Sequence, residues 1–184
     1  IIDICISEAG KTRPDAEAEL DRAVQALTHA AGVQHFYPSN YSQNVAGGID
    51  IADLRFPIGV IAGVGPFNFP ILIPILHSAM ALVTGNTYIA KPSEKVPSIS
   101  RLYADIWNEA GLPDGCYNVV HGEKEIVELL VKHEKVDGLA FIGSTVAAKS
   151  LKKLGVEHNT KVQALGGGKN HMIVLPDADL DMSA

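Results

Sequence analysis

The sequence predicts an α/β fold: a doubly wound parallel sheet with a β-hairpin projecting from it. Three observations carry the prediction. From residue 58 onward, short apolar runs alternate with stretches of helical period, the rhythm of a parallel sheet covered on both faces. The 184 residues, 47% hydrophobic and 20% charged, suit one ordinary globular domain with a small appendage. Between them, residues 38–57 change character, and Gly47-Gly48 separates two short alternating runs as a hairpin turn does.

The elements follow in order. Residues 15–31 carry Ala16, Leu20, Ala23, Val24, Leu27 and Ala31 near helical spacing, with acids early and Pro14 suited to a first turn. Residues 58–62 read as a buried strand, which then breaks into Gly63, Gly65 and Pro66. Residues 72–83 are a mostly apolar helix closed by Gly85. Residues 87–90 are a strand, and 98–110 an amphipathic helix stopped by Gly111 and Pro113. Residues 117–120 are a strand, and 123–132 a helix with acids first and Lys132 and His133 last, as the helix dipole favours. Strands over 139–142 and 161–165 flank a helix over 145–154, and 172–175 is a last strand. The chain therefore divides into an N-terminal helical part (1–37), the hairpin (38–57) and the sheet domain (58–184).

Composition excludes several classes. Net charge is −6, from 21 acidic and 15 basic residues, and no basic face suggests nucleic acid as a partner. The most apolar stretch, 67–83, is short for a bilayer helix and contains Asn68, two prolines, His77 and Ser78, so no membrane span is expected. Cys5 and Cys116 follow no metal or redox spacing, the seven histidines form no HxH or HxxxH pair, and no metal site is expected. Free thiols and the lack of a basic leader fit a cytoplasmic protein. Both termini read as cut from a longer chain.

Doubly wound sheets bind ligands at the carboxyl ends of their strands. There the sequence places, in turn, GVGPFNFP, KPSEK (91–95), HGE (121–123), GSTVA (143–147) and GGGKNH (166–171). Gly143-Ser144-Thr145 opens a helix, where free N–H groups and the dipole favour a phosphate. Taken singly, Ser144 or Thr145 is better explained as a helix N-cap. GVG is not a dinucleotide fingerprint, because GxGxxG would need a glycine at Phe69. Lys91 and Glu94 stand where a cation and a carboxylate can hold the hydroxyls of a ribose, although taken alone the pair reads more readily as a solvated loop ion pair. Asn68, between Phe67 and Phe69, presents one amide in an apolar setting. Each feature is weak, and their joint placement at successive strand ends is what carries weight.

Together these residues resemble the aldehyde dehydrogenase superfamily. The likeness covers nearly the whole chain: GKT before a helix, PFNFP, TGN, KPSE, AGLPDG, FIGS and the glycine-lysine run. KPSEK, HGE and QALGGGKNH followed by LPDAD are most similar to the CoA-acylating malonate and methylmalonate semialdehyde dehydrogenases. The resemblance implies a Rossmann-like NAD-binding domain whose hairpin belongs to an oligomerisation arm. It implies that Asn68 donates its amide to the oxyanion of a thiohemiacetal, a kind of donor worth about 3 kcal/mol to a transition state. Gly65 and Phe67 would line the cofactor cleft, Lys91 and Glu94 would bind the adenosine ribose with Lys95 nearby, Ser144 would hold the pyrophosphate, and Gly166 would lie near the nicotinamide. Semialdehyde substrate, CoA and a homo-oligomeric parent, dimer or tetramer, follow from the same likeness.

Three departures qualify it. The family's nucleophilic cysteine falls past Ala184, and neither Cys5 nor Cys116 lies in its motif. Hydrolytic members carry a glutamate, the base for the deacylating water, where this chain has Leu165. A thioester without that base suits an external thiol, since a CoA thiolate needs less activation than water. Ala148 stands where a glycine is common. Lys91 and Lys95 leave NADP open, whereas Glu94 repels a 2′-phosphate and favours NAD. The leading expectation is the NAD-binding part of a dehydrogenase converting a malonate-type semialdehyde to an acyl-CoA, with the carboxylate lost from the acyl intermediate. By itself the chain is expected to be inactive. The alternatives are the cofactor module of another semialdehyde dehydrogenase, such as a succinate semialdehyde enzyme, and an inert interaction fragment.

Overall fold

The computed structural model describes residues 1–183. Two helices, α1 (Ile2–Ala9) and α2 (Arg13–Ala31), open the chain, and a short α3 (Val33–Phe36) leads to the hairpin β1 (Tyr41–Ala46) and β2 (Ile49–Ala52). The sheet elements follow: β3 (Val60–Val64), α4 (Leu72–Val83), β4 (Thr87–Lys91), α5 (Ser98–Glu109), β5 (Tyr117–Val119), α6 (Lys124–Lys132), β6 (Gly138–Ile142), α7 (Thr145–Glu157) and β7 (Lys161–Leu165), with a four-residue α8 (Leu180–Ser183) last. The five strands are all parallel, in the order β5-β4-β3-β6-β7. Strand order reverses between β3 and β6, and the crevice outside their carboxyl ends is where such a sheet takes a ligand.

Alternation along the strands builds two cores. Tyr88 and Ala90 point to one face, where α4 and α5 pack with α1 and α2 around Cys5, Ala16, Ile71 and Ile99. Ala62, Val64, Leu139, Phe141 and Ala164 point to the other, beneath Val127 and Val131 of α6 and Leu151 of α7. The N-terminal helices also satisfy the helices they cover. Glu8 of α1 accepts from the backbone and the hydroxyl of Ser98 at the start of α5. Glu19 of α2 accepts from the Ile71 and Leu72 N–H groups, both at 2.8 Å, at the start of α4. Neither α4 nor α5 has a side-chain cap from its own N-cap residue, so these distant carboxylates satisfy amides that a helix start leaves open.

Two expectations are corrected. β3 begins two residues later than predicted and runs through Gly63. Its entry is set by side chains: Asn86 Oδ1 accepts from the Ile58 and Gly59 N–H at 2.6 and 2.9 Å, and Asp137 Oδ2 from Val60 N–H at 2.8 Å. Gly63 does not break the strand because the position needs glycine: a Cβ there would lie 1.7 Å from the Tyr88 hydroxyl. The predicted strand at 172–175 does not form. Met172, Ile173 and Leu175 are exposed, and this run has no ladder partner among the described residues. The hairpin does form, antiparallel and exposed along both strands.

Candidate functional site

The loop after β3 is held at both ends. At its start, Gly65 N–H donates to the Lys91 carbonyl at 3.3 Å. At its end, the Ile71 N–H is taken by Glu19 and the Ile71 carbonyl accepts from the Tyr103 hydroxyl at 2.9 Å. Asn68 lies exposed in the middle, and its amide makes no hydrogen bond among the described residues. The flanking rings are not an apolar wall. Phe67 is 51% exposed with the Lys95 ammonium 4.8 Å from its centroid, and Phe69 lies 4.5 Å from the Lys11 ammonium. Asn68 thus stands between two cation-capped rings, which corrects the apolar setting expected from the sequence.

Lys91 ends β4, paired with Val64 across the ladder. Its residue is 4% exposed, and its ammonium lies 3.6 Å from the half-exposed Glu94 carboxylate. It is therefore no solvated loop lysine: a buried ammonium is costly unless partnered, and its carboxylate partner, Glu94, sits at the rim. Lys95 joins Phe67 rather than this pair.

Ser144 is the N-cap of α7. Its hydroxyl accepts from Ala147 N–H at 3.2 Å, a contact worth about 1 kcal/mol. The hydroxyl keeps its own proton to donate, and the other first-turn amides have no intrahelical carbonyl to meet. The capping and anion-binding readings of Ser144 are thus compatible. Gly166 follows β7, and a Cβ there would come within 2.9 Å of Thr145 Cα and Oγ1. Gly167 N–H donates to Thr145 Oγ1 at 3.0 Å. The loops after β6 and β7 are thereby fastened to each other, with Leu165, 51% exposed, at their junction.

Neither cysteine stands at this edge. Cys5 is buried in α1, and burial pushes its thiol pKa up, away from the thiolate that reacts. Cys116 immediately precedes β5, at the amino edge of the sheet. Among the described residues no cluster of histidine, cysteine and carboxylate side chains could hold a metal.

All 184 residues match the family model described as aldehyde dehydrogenase family. The chain belongs to the aldehyde dehydrogenase family. Its curated relatives include the malonate-semialdehyde dehydrogenase of Pseudomonas aeruginosa, 45% identical over 174 residues, covering 95% of this chain and 35% of the relative. The Bacillus pumilus malonate-semialdehyde dehydrogenase is 40% identical over 181 residues, covering 98% and 37%. This family member thus spans little more than a third of the length of the relatives it matches. Two solved structures superpose with TM-scores of 0.93, each covering 99% of this chain and 37% of the other. One is the methylmalonate-semialdehyde dehydrogenase of Oceanimonas doudoroffii, 41% identical, and the other a provisional methylmalonate-semialdehyde dehydrogenase of Sinorhizobium meliloti 1021 in complex with NAD, 38% identical.

Sequence reasoning missed Lys11, Glu19, Glu8, Asn86 and Asp137 in this frame. Glu19 and the amides it caps are 52 and 53 residues apart, and no local pattern announces such a pairing. Lys11 lies in GKT, a motif visible in the sequence without a role attached.

Proposed function

We propose that this chain is the NAD-binding part of a CoA-acylating dehydrogenase for malonate or methylmalonate semialdehyde. The observation that carries the reading is the gathering of Asn68, Lys91, Ser144 and Gly166 at the carboxyl edge of one parallel sheet, astride its switch point, with Leu165 ending β7. Residues 1–37 and 58–184 make up the cofactor-binding unit, and 38–57 the oligomerisation arm of a cytoplasmic homo-oligomer.

The residues fit a dinucleotide. Lys91 brings a nearly buried positive charge beside Glu94, so one group donates and the other accepts, as two ribose hydroxyls require. Ser144 and the first turn of α7 offer donors to a pyrophosphate. Gly166 keeps backbone close to Thr145 where a side chain would intrude. Gly65 and Phe67 line the mouth of the cleft, with Lys95 over Phe67. NAD supplies the hydride acceptor. Asn68 donates its unpaired amide to the oxygen that gains charge when a thiolate adds to the aldehyde. Leu165 cannot take a proton from water, so the thioester passes to CoA, the acyl carbon bonding to the CoA sulfur while the enzyme thiolate departs. With neither of its own cysteines at this edge, the chain alone binds cofactor without turnover.

The test is made on the full-length enzyme. Lys91→Ala and Ser144→Ala are expected to weaken NAD binding, read by calorimetry, by about tenfold or more each. Product analysis is expected to show acyl-CoA formation that depends on CoA. Unchanged NAD affinity in both variants, or free acid at an undiminished rate without CoA, overturns the reading.

A further inference from the structure

We infer that Glu19, held by Lys11, is a positioning residue for the loop that carries Asn68. The inference rests on the reading of Asn68 as oxyanion donor and adds a component that lies outside the sheet. Glu19 is 4% exposed, and its hydrogen bonds go to the end of this loop and to Lys11. Oε1 accepts from both Ile71 and Leu72 N–H at 2.8 Å, fixing the residues that immediately follow the loop. Oε2 receives the Lys11 ammonium at 2.6 Å, and that ammonium also lies over the ring of Phe69, the neighbour of Asn68.

The GKT turn supplies this lysine by construction. Gly10, at φ 69°, ends α1, and Thr12 caps α2 through Asp15 N–H. Lys11 is thus confined between two helix ends and aimed across α2. The other end of the loop is fixed by the sheet through Gly65. Asn68 has no hydrogen bond of its own among the described residues, so its direction depends on what holds the two ends of the loop: Gly65 at the start, and Glu19 with the Tyr103 hydroxyl at Ile71. An oxyanion donor acts through preorganisation, and a small displacement is expensive in rate. Loosening the Glu19 anchor therefore reduces kcat, while Lys91, Ser144 and Gly166, which lie on other segments of the sheet edge, keep their places.

A double-mutant cycle in the full-length enzyme tests this. Asn68→Ala is expected to lower kcat by about a hundredfold or more. Glu19→Gln, which keeps an acceptor but releases Lys11, is expected to lower kcat by about tenfold with the KM for NAD unchanged. In the Asn68→Ala background the same Glu19→Gln change is expected to cost less than about twofold, because its effect is transmitted through Asn68. Lys11→Met, which retains packing on Phe69 and removes the charge, is expected to behave as Glu19→Gln does, and it carries the test if Glu19→Gln fails to fold. Equal losses in both backgrounds, or a parallel rise in the KM for NAD, overturn the positioning role. If Asn68→Ala itself leaves kcat unchanged, the oxyanion reading falls, and the positioning role falls with it. If Asn68→Ala lowers kcat but Glu19→Gln and Lys11→Met do not, the positioning role alone falls.

Discussion

At the scale of single residues, environment decides chemistry, and two side chains make this testable. Leu165 is half-exposed in this chain, at the end of β7. Leu165→Glu in the full-length enzyme is expected to open a hydrolytic route: free acid formed without CoA should rise by about tenfold or more, the size of a general-base contribution, as read by product chromatography. His77 of α4 is the second case. Its Nδ1 is buried with no hydrogen-bond partner among the described residues, and burial lowers its pKa from 6.5 to about 4. The sign follows from proton uptake. Below pH 6.5 the unfolded chain binds a proton that the folded chain refuses, so stability is full above that pH and declines as pH falls toward 4. The whole decline amounts to about 3 kcal/mol. Urea denaturation at stepped pH should show this slope, and His77→Leu should flatten it.

At the scale of elements, neighbours complete what composition begins. Gly63 shows the point. A Cβ at this position would meet the hydroxyl and ring of Tyr88, which is 1% exposed and has nowhere to move. Gly63→Ala is expected to cost about 3 kcal/mol or more, measured as a shift in denaturation midpoint. Gly47→Ala in the hairpin turn, where a Cβ meets nothing within 4 Å, should leave the midpoint unchanged. Sequence alone reads Gly63 as a strand breaker, because nothing nearby in the chain reveals that Tyr88 lies over it. The helices α4 and α5, by contrast, are legible almost to the residue, since their apolar period and the glycines that stop them are local. Residues 172–175 have the composition of a strand and fail to become one, because strand formation also requires a partner. The same distinction governs the site. The position of Lys91, Ser144 and Gly166 at the carboxyl edge of the sheet is legible because they end or follow strands, and the rule for strand ends is local. Glu19 and Glu8 are not legible, because a carboxylate capping a helix 52 or 90 residues away leaves no spacing to read.

At the scale of the whole molecule, the hairpin and the sheet domain differ in what supports them. The sheet has a core on each face, whereas β1 and β2 are held by their mutual ladder and by Asp50, which accepts from Asn44 N–H and the Tyr41 hydroxyl. Isolated two-stranded hairpins are marginal in water. This one exposes Tyr41, Ile49, Ile51, Leu54 and Phe56, each more than half accessible. Such a run of apolar surface on a projecting arm suits contact with a second copy better than contact with solvent. The proposed role as an oligomerisation arm therefore makes a quantitative demand on the full-length enzyme. Ile49→Asp together with Ile51→Asp places two charges beside Asp50 and removes apolar area from the arm. At about 25 cal/mol per Å² of buried apolar surface, losing two isoleucines from each side of a symmetric contact weakens assembly by several kcal/mol. Sedimentation velocity should then show smaller species at micromolar concentration. The folded subunit should persist, because neither side chain belongs to either core. An unchanged sedimentation coefficient with intact fold would remove the arm from the assembly and leave the hairpin without a role in it.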